Sequence, residues 1–525
     1  MKTCVLGIDS STTSTKVVAF AQDGTELAKT TRPLKSDSAQ PGWVEQDAES
    51  WWLSLTGACK AMVNSSKLQD YSISGLSITH QRFSFVPVNE QLQPLRPAIL
   101  WNDLRCGAEA EEARADDDGA KIFVRTGYPP GPWSLYKAIW LMHHEPQIYQ
   151  QTHKLLLVPD YLGFKLTGVV ATSESSAAMT GALDIRKKSD WAFDIIDQLG
   201  VRRDVWVTPI LPAGAFVGEL TDAASRETGL PPGLPIFAGA GDQPCGSLGA
   251  GVVRPGQLGI NGGTSCSNEF FSSALPSLER QDYFVEVHPA GGYIVENDIP
   301  SGGSAVANWY RDRLGEAEAR AARESGQSEW DLIYGALDST APGNRGFMFV
   351  PYLQGAYGPY WDQNARAVAV GIGSDHERSH VIRALFEGVA YESRRQVDLM
   401  RAATGVEVEE IWMYGGSAVS GQWNRLFADM YGQTVHVPQT TESTALGAAM
   451  CAAVGCGMYE SFDEASDGMS RVGASFDPNP QSTRVYDRYY HDVYLELYDR
   501  VRDLIARITR INSELFVEGT EAWQK

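Results

Sequence analysis

Asp242 is the residue of this sequence whose type and setting point most directly to chemistry. It lies in residues 239–244 (GAGDQP), and the apolar residues 234–238 before it predict a strand that ends next to the carboxylate. A carboxylate in a glycine-rich turn can accept the proton of an attacking hydroxyl, as an aspartate does in kinases. We therefore predict a general base at Asp242; the alternative is an Asx turn, in which the side chain bonds its own backbone.

A hydroxyl-rich turn near the N-terminus carries groups suited to phosphate and metal. Residues 3–20 predict two strands joined by a tight turn, with Asp9 at the end of the first strand. A turn of this composition presents backbone N–H groups and hydroxyls to phosphate oxygens, and a single carboxylate can hold a hydrated Mg²⁺. We predict Asp9 as the metal-associated residue. The candidate phosphate ligands are Ser11, Thr12, Thr13 and Lys16.

The same pattern returns near the middle of the chain. Residues 6–12 (LGIDSST) are echoed by residues 258–264 (LGINGGT) at identical spacing. The second copy replaces Asp9 with Asn261 and adds glycines, which allow close approach of backbone to phosphate. The repeat predicts two halves that begin in the same way and two hairpins that clamp a triphosphate. Taken singly, each hairpin could instead be a structural turn.

A third glycine-rich strand end lies in residues 413–418 (MYGGSA), after the apolar residues 411–412. Glycines at this point would let a flat adenine ring lie against the backbone. There is no GxxxxGK[ST] sequence, so a P-loop is excluded and any nucleotide must be held in another way.

These candidate residues need a scaffold of two domains. A chain of 525 residues exceeds what one core usually holds. Proline and glycine at residues 231–233 and 255–256 mark the change between the halves. We predict a mixed α/β chain with domains at residues 1–245 and 246–525 and a cleft between them. The consecutive strands at the start predict an antiparallel meander, followed by a helix over residues 49–62.

Near the C-terminus, helical spacing predicts one long amphipathic helix that packs on a domain surface. Its predicted apolar face consists of Val485, Tyr489, Val493, Leu497, Val501, Ile505 and Ile508.

Composition limits the classes of partner. The formal net charge is -21, from 65 acidic and 44 basic residues, which argues against nucleic acid or an anionic membrane as partner. The seven cysteines include no CxxC pair, which fits a reducing cytoplasm. The apolar run before Asp9 is too short for a signal peptide, and no stretch reaches the roughly 18 apolar residues of a membrane span. Homodimer formation is left open.

Taken together, these segments resemble the FGGY family of carbohydrate kinases over nearly the whole chain. The order of the motifs carries the resemblance: the first hairpin, GDQP, NGGTS and YGGSA resemble the first phosphate loop, the catalytic aspartate segment, the second phosphate loop and the adenosine segment. Residues 137–141 (KAIWL) and 371–387 resemble the two family signatures. In the second signature, Ala369 and Leu385 stand where other residue types are usual.

The resemblance implies a two-domain fold of the ribonuclease H-like, actin-like ATPase type that closes on ATP and substrate. It implies that Asp242 is the base, that Asp9 is associated with Mg²⁺, and that the first hairpin contacts phosphate. The further nucleotide contacts that it implies are Gly263, Thr264, Gly303, Gly415, Gly416 and Ser417.

The segments that would contact substrate resemble two different kinases of the family. Residues 41–52 and 95–106 are similar to xylulokinase, whereas residues 79–84 (THQRFS) are closer to glycerol kinase. Phe83 replaces the acidic residue that glycerol kinases use to bind their polyol, so glycerol is disfavoured. The predicted sugar wall consists of Gln81, Arg82, Trp101, Asp103, Trp133 and Gln243, with aromatic faces for the C–H side of a sugar.

We therefore expect an ATP-dependent kinase of a ketopentose such as D-xylulose. The alternatives within the same class are kinases of glycerol, erythritol or the linear signal autoinducer-2. Outside it, they are an actin-like ATPase that switches on a protein partner and a sugar-binding protein without catalysis. Tryptophans in the predicted cleft favour the kinase.

Overall fold

The computed structural model describes residues 2–115 and 118–516, which form two large mixed sheets surrounded by helices. The strands of the first half are β1 (Lys2–Ser10), β2 (Ser14–Ala21), β3 (Glu26–Pro33), β4 (Glu45–Gln46), β5 (Tyr71–His80), β6 (Phe85–Val88), β7 (Ala98–Ile99), β8 (Lys154–Leu157), β9 (Thr172–Ser173), β10 (Ile210–Leu211), β11 (Phe216–Glu219) and β12 (Pro235–Phe237). Its helices are α1 (Ala48–Val63), α2 (Gly107–Arg114), α3 (Asp118–Thr126), α4 (Ser134–His144), α5 (Pro146–Gln151), α6 (Val158–Thr167), α7 (Glu174–Ala178), α8 (Phe193–Gln198), α9 (Asp222–Thr228) and α10 (Asp242–Ala250).

The second half follows the same general plan. Its strands are β13 (Gln257–Gly262), β14 (Cys266–Ser272), β15 (Phe284–Val287), β16 (Tyr293–Ile299), β17 (Met348–Val350), β18 (Val368–Val370), β19 (Glu410–Tyr414), β20 (Val435–Pro438) and β21 (Val472–Phe476). Its helices are α11 (Ser304–Leu314), α12 (Glu316–Ser325), α13 (Glu329–Ser339), α14 (Arg378–Thr404), α15 (Gly421–Tyr431), α16 (Ser443–Gly455), α17 (Phe462–Met469), α18 (Pro480–Tyr489) and α19 (Leu495–Phe516).

The two large sheets have the same internal order, which is the structural counterpart of the sequence repeat. In the first, β1 pairs antiparallel with β2, β2 pairs with β3, and β5 and then β12 extend the sheet in parallel to β1. In the second, β13 pairs antiparallel with β14, β14 pairs with β16, and β19 and then β20 extend the sheet in parallel to β13. The predicted meander and the predicted helix over residues 49–62 are confirmed.

Helices α10 and α16 join the two halves by exchanging places. Helix α10 continues from the first half but contacts β13 and β19, whereas α16 comes from the second half and lies on β1 and β5. Glycine allows α16 to lie close to β1, because a Cβ on Gly7 would stand 1.8 Å from the carbonyl oxygen of Ala445. Helix α10 also spans the predicted domain boundary at residue 245. The division at that residue remains a prediction.

The crossing between α10 and α16 is equally close. A Cβ on Gly249 would lie 1.9 Å from the carbonyl oxygen of Ser443, and a Cβ on Gly447 would lie 1.9 Å from that of Cys245. Real side chains never approach backbone so closely, so these helices can cross in this way only because both positions are glycine.

The C-terminal helix buries its predicted apolar face only in part: Tyr489, Leu497 and Val501 are half-buried against the core, and a row of tyrosines is buried more fully. Tyr486, Tyr490, Tyr494 and Tyr498 are buried, whereas 38% of Val493 and 52% of Ile508 are exposed. The tyrosines point at α14, where the hydroxyl of Tyr490 donates to Asp398 at 2.6 Å and that of Tyr494 to Glu392 at 3.0 Å. Large rings with a hydroxyl bury more apolar area than the aliphatic row and satisfy acidic side chains of α14. A π-helical turn, Tyr490–Tyr494, lies between α18 and α19.

Among the described residues, no helix combines the length and apolar character needed to cross a membrane.

The glycine crossing can be tested with two matched helix substitutions. Gly447→Ala in α16 should lower the melting temperature, because the methyl group meets the backbone of α10 and overpacking costs about 1–3 kcal/mol. Gly163→Ala in α6 gains the same helix propensity, about 1 kcal/mol, and its Cβ meets no atom within 4 Å. Calorimetric melting of both variants checks this, and a melting temperature of Gly447→Ala equal to or above that of Gly163→Ala would contradict the crossing as the close contact.

Candidate active site

The turn of the first hairpin, the end of β5 and the start of α10 meet at one edge of the first sheet. The backbone N–H of Gln81 donates to the carbonyl oxygen of Ser10 at 3.0 Å, and His80 forms a bridge with Gly241. Because β1, β5 and β12 are parallel, the residues that follow them emerge at the same edge. The fold therefore brings the predicted base, the predicted metal-associated residue and the start of the predicted sugar wall together.

Asp242 is the first residue of α10, and 35% of its side chain is exposed in the cleft. Its Oδ1 accepts a hydrogen bond from the backbone N–H of Gln243 at 2.9 Å and lies 3.3 Å from Nε of Arg82. Loss of water around the carboxylate raises the pKa of Asp242 to about 6, and the Arg82 guanidinium opposes the shift. The Asx-type backbone contact is thus present, but the carboxylate also faces the cleft beside a cation.

Arg82 crosses the cleft and is the centre of an ion-pair cluster. Its Nη1 lies 2.6 Å from Glu286 of β15 and 2.8 Å from Glu296 of β16, and both carboxylates are completely buried. The guanidinium also lies over the rings of Phe83 and Phe284, at 5.3 and 5.9 Å from their centroids. A first-half arginine is therefore held by the second half of the chain and by the predicted base.

Asp9 has the features expected of a carboxylate that binds a cation. Its Oδ1 is buried without a hydrogen-bond partner, and its Oδ2 lies 3.8 Å from Nζ of Lys16. Burial raises the pKa of Asp9 to about 7, while Lys16 lowers it. Within residues 2–115 and 118–516, no group of three or more His, Cys, Asp or Glu side chains could hold a metal ion. One unsatisfied carboxylate fits Mg²⁺, which keeps several waters and usually binds one or two carboxylates plus phosphates.

Lys16, predicted to contact phosphate, is paired with the second half of the chain. Its Nζ donates to Glu442 at 3.0 Å, and Lys29 donates to the other oxygen of Glu442 at 2.8 Å. Glu442 immediately precedes α16. This carboxylate links the first sheet to α16 at the edge of the site.

The hydroxyls of the first hairpin have different surroundings. Ser11 Oγ donates to the carbonyl oxygen of Ser14 at 2.9 Å and so closes the turn. Thr12 Oγ1 donates to Gln81 at 3.0 Å and accepts from the indole N–H of Trp101 at 2.8 Å. Thr13 is exposed. Thr12 therefore connects the hairpin to the sugar wall, whereas Thr13 is exposed at the turn.

Some residues of the predicted sugar wall line the cleft, and others are buried behind it. Trp101 is 44% exposed and joins Gln81 through Thr12, next to Arg82. Trp133 is only 4% exposed and its ring packs 4.7 Å from that of Phe83.

Asp103 also lies behind the wall. It is completely buried, and its Oδ2 accepts from Arg105 at 2.7 Å and from the backbone N–H of Val44 at 2.6 Å. Contact of Asp103 or Trp133 with a sugar stays a prediction.

Gln243 points to the second hairpin. Its side chain donates to Ser267 at 3.0 Å and accepts from Asn261 at 2.6 Å. It therefore couples the segment of the predicted base to the second phosphate hairpin.

The second hairpin and the adenosine segment are packed through glycines. A Cβ on Gly303 would stand 2.3 Å from the carbonyl oxygen of Gly263, so the start of α11 lies directly against the hairpin. Gly415 has φ +81°, and a Cβ there would lie 2.4 Å from Oδ1 of Asn261. Ser417 is buried, whereas Gly416 and Thr264 are exposed. Close contacts therefore join the second hairpin to the start of α11 and to the end of β19.

Sequence reasoning assigned no role to Lys137, although its segment was noted. The ammonium is completely buried and donates to the carbonyl oxygens of Leu100 at 2.7 Å and Trp101 at 3.2 Å. Burial lowers the pKa of Lys137 to about 8. Lys137 therefore fixes the loop that carries Trp101. A lysine inside an otherwise apolar helix segment (KAIWL) was the available signal. Glu286, Glu296 and Glu442 were also missed, because nothing in their local sequence marks them.

The fold and the cleft define a class: a two-domain kinase of the ribonuclease H-like, actin-like type, with a pair of equivalent hairpins facing a carboxylate. Comparison with known proteins makes this specific. Residues 4–249 match the N-terminal domain, and residues 258–456 the C-terminal domain, of the FGGY family of carbohydrate kinases. The chain belongs to the FGGY family and is a carbohydrate kinase, a phosphotransferase with an alcohol group as acceptor, as predicted.

Individual relatives agree with this assignment. Xylulose kinase of Bacillus subtilis is 29% identical over 503 residues, which cover 95% of this chain and 97% of the relative. A crystal structure of gluconate kinase from Lactobacillus acidophilus has a TM-score of 0.88 at 21% identity and covers 97% of this chain and 100% of that one. Xylulose kinase from Rhodospirillum rubrum has a TM-score of 0.86 at 26% identity, covering 96% and 100%. The predicted fold class is confirmed.

The raised pKa of Asp242 predicts an acid limb in the pH profile. A base must be deprotonated to act, so kcat/KM for the sugar should fall about tenfold per pH unit below about pH 6. The charged groups that set this value are Arg82, which lowers the pKa, and Glu286 and Asp298, which raise it. Titration of Asp9 would instead give a limb near pH 7 that moves with Mg²⁺ concentration. Profiles at two Mg²⁺ concentrations check this, and constant kcat/KM from pH 7 to 5 would contradict it.

Proposed function

We propose that this chain transfers the γ-phosphoryl group of ATP to a hydroxyl of a ketopentose such as D-xylulose, with Asp242 as the general base. The observation that carries the proposal is the position of Asp242. It lies in the cleft between the two hairpins, and the polar residues Gln81 and Arg82 lie on its sugar side. A base must reach the proton of a hydroxyl that lies next to the γ-phosphate, and a cleft position beside both the sugar wall and the hairpins supports that role.

In the proposed reaction, the sugar hydroxyl lies between Asp242 and the γ-phosphate. Asp242 accepts its proton while the oxygen attacks phosphorus in line, and ADP leaves on the opposite side. The N–H groups and hydroxyls of the two hairpins hold the phosphates, and the exposed side chains of Thr13 and Thr264 are available for this contact. Such a fixed arrangement stabilises charge as it develops, because few dipoles must reorient during the reaction.

The metal would be held at Asp9, whose buried Oδ1 has no other partner. Mg²⁺ bound there neutralises phosphate charge. Lys16 is close enough to the same carboxylate, at 3.8 Å, to belong to the phosphate side of the site.

The adenosine would lie on the surface formed by Gly415, Gly416 and Ser417. Exposed glycine at residue 416 leaves room for a flat ring against the backbone. Gly303 would act indirectly, since its lack of a side chain lets α11 support the second hairpin.

The choice of a ketopentose rests on the names of relatives and on one feature of the wall. Relatives named xylulose kinase match nearly the full chain. Phe83 is 5% exposed and its ring packs against Tyr128 and Trp133, so it offers no acceptor to a polyol hydroxyl. Trp101 offers the exposed flat face that a sugar needs.

The base assignment predicts a large loss of activity in Asp242→Asn. The amide keeps the hydrogen bond from Gln243 but cannot accept the substrate proton, so kcat should fall by about 10²- to 10⁴-fold. Sugar affinity should change much less. Asp222→Asn is the matched control, because Asp222 is also the first residue of a helix but is exposed away from the cleft. Measurements of kcat, sugar Kd and melting temperature decide, and activity within about threefold of the parent would refute the assignment.

The substrate is tested by ADP release with a panel of D-xylulose, other pentuloses, glycerol, erythritol and autoinducer-2. We expect the highest kcat/KM for a ketopentose and a low value for glycerol, because Phe83 stands where an acid would bind the polyol. A value for glycerol above that of every ketose would overturn the assignment. ADP release that responds to a protein and to no sugar would indicate an ATPase switch instead.

A further inference from the structure

We propose that Glu286 and Glu296 make the sugar site selective for neutral sugars over carboxylated ones, because they neutralise the one cation of the sugar wall, Arg82. The inference rests on the proposed function, in which Asp242 marks the place of the reacting hydroxyl. It assigns a role in substrate choice to two residues of the second half that lie outside the predicted wall.

The first step is the position of Arg82 relative to the substrate. Its Nε lies 3.3 Å from Oδ1 of Asp242, so a hydroxyl that gives its proton to Asp242 must lie within a few ångströms of the guanidinium. An arginine that is free in such a place binds carboxylates well, because its planar donors match the two oxygens. An unpaired Arg82 would therefore favour sugar acids.

The second step is that Arg82 is already paired. Nη1 lies 2.6 Å from Glu286 and 2.8 Å from Glu296, in addition to the contact with Asp242. Both glutamates are completely buried, so water does not screen the pairs, and Glu286 also accepts a hydrogen bond from the hydroxyl of Tyr128. One positive charge thus faces three carboxyl groups.

The third step is that further acidic side chains lie behind the ion pairs of Arg82. Glu269 is buried and lies opposite Glu296 in the β14–β16 ladder, and Asp298, which is half-buried, follows on β16. Burial raises the pKa of Glu269 and of Glu296. Arg82 itself faces the carboxyl groups of Asp242, Glu286 and Glu296. An added carboxylate would meet repulsion that a hydroxyl would not.

Lys16 and Lys137, two lysines described near the site, do not supply a free positive charge for a substrate carboxylate. Lys16 is paired with Glu442 on the phosphate side, and the buried ammonium of Lys137 donates to backbone carbonyl oxygens. This matters because the overall fold does not separate the two substrate classes: the structure with a TM-score of 0.88 is that of a gluconate kinase. The charge around Arg82 is a local feature that can distinguish neutral from carboxylated substrates.

The direct test uses two linear five-carbon compounds that differ only at the terminal carbon. Calorimetry should show that the wild-type protein binds D-xylonate at least about tenfold more weakly than xylitol, because a carboxylate near three acids is unfavourable. Xylonate binding within threefold of xylitol, or tighter, would overturn the proposal. This comparison needs no variant to fold.

A second test removes the neutralising charges. In Glu286→Gln and Glu296→Gln, alone and combined, Arg82 loses one or both of its buried carboxyl partners, so the ratio of the xylonate Kd to the xylitol Kd should fall at least threefold. Glu269→Gln is the matched control, since Glu269 is a buried acid of the same cluster that bonds Tyr414 rather than Arg82. A ratio that changes equally in the control, or in none of the variants, contradicts a specific role for Glu286 and Glu296.

Assays with D-xylulose separate the two proposals. Phosphorylation of D-xylulose together with equal binding of xylonate and xylitol overturns charge selection alone. A preference for xylitol over xylonate without phosphorylation of any ketopentose overturns the proposed substrate alone.

Discussion

The arrangement of the whole molecule depends on how closely α10 and α16 can approach. Each helix belongs to one half of the chain and packs on the sheet of the other, and Gly249 and Gly447 set their separation. Asp242 begins one of these helices and Glu442 precedes the other, so the crossing also fixes both side chains at the cleft. A wider crossing would move the predicted base away from the hairpins. The packing of two helices thus determines the geometry of the site.

Electrostatics provides the second link between the halves. Arg82 joins Asp242 of the first half to Glu286 and Glu296 of the second, and all of these groups lie in or beside the cleft. The cost of burying these acids is offset only while the arginine is present. The same contact lowers the pKa of Asp242, which burial alone would raise further. Stability of the cleft and basicity of the carboxylate therefore depend on one side chain.

Much of the fold could be read from the sequence, and less of the site. The repeat of residues 6–12 at 258–264 predicted two halves that begin in the same way, because a strand and its turn are local patterns; the structure extends this likeness to the order of the two large sheets. The contacts of Asp103 and Glu286 cannot be predicted from such local patterns. Asp103, a predicted wall residue, is buried and bonded to Arg105 and Val44, and its contact with a sugar stays a prediction. Glu286 carries no local signal and contacts a residue 204 positions away. The tyrosine face of α18 and α19 was missed because only its acidic partners on α14 reveal it.

Because Lys16 is paired with Glu442, phosphate binding at the first hairpin would exchange one anionic partner of the lysine for another. If Lys16 contacts phosphate, the phosphate competes for its ammonium group with a carboxylate at 3.0 Å and not with water alone. The internal anion does not diffuse away, and Lys29 keeps it in place at 2.8 Å. Once the phosphate charge departs, the lysine has its former partner within reach. The first hairpin is thus returned to its starting state by the protein itself.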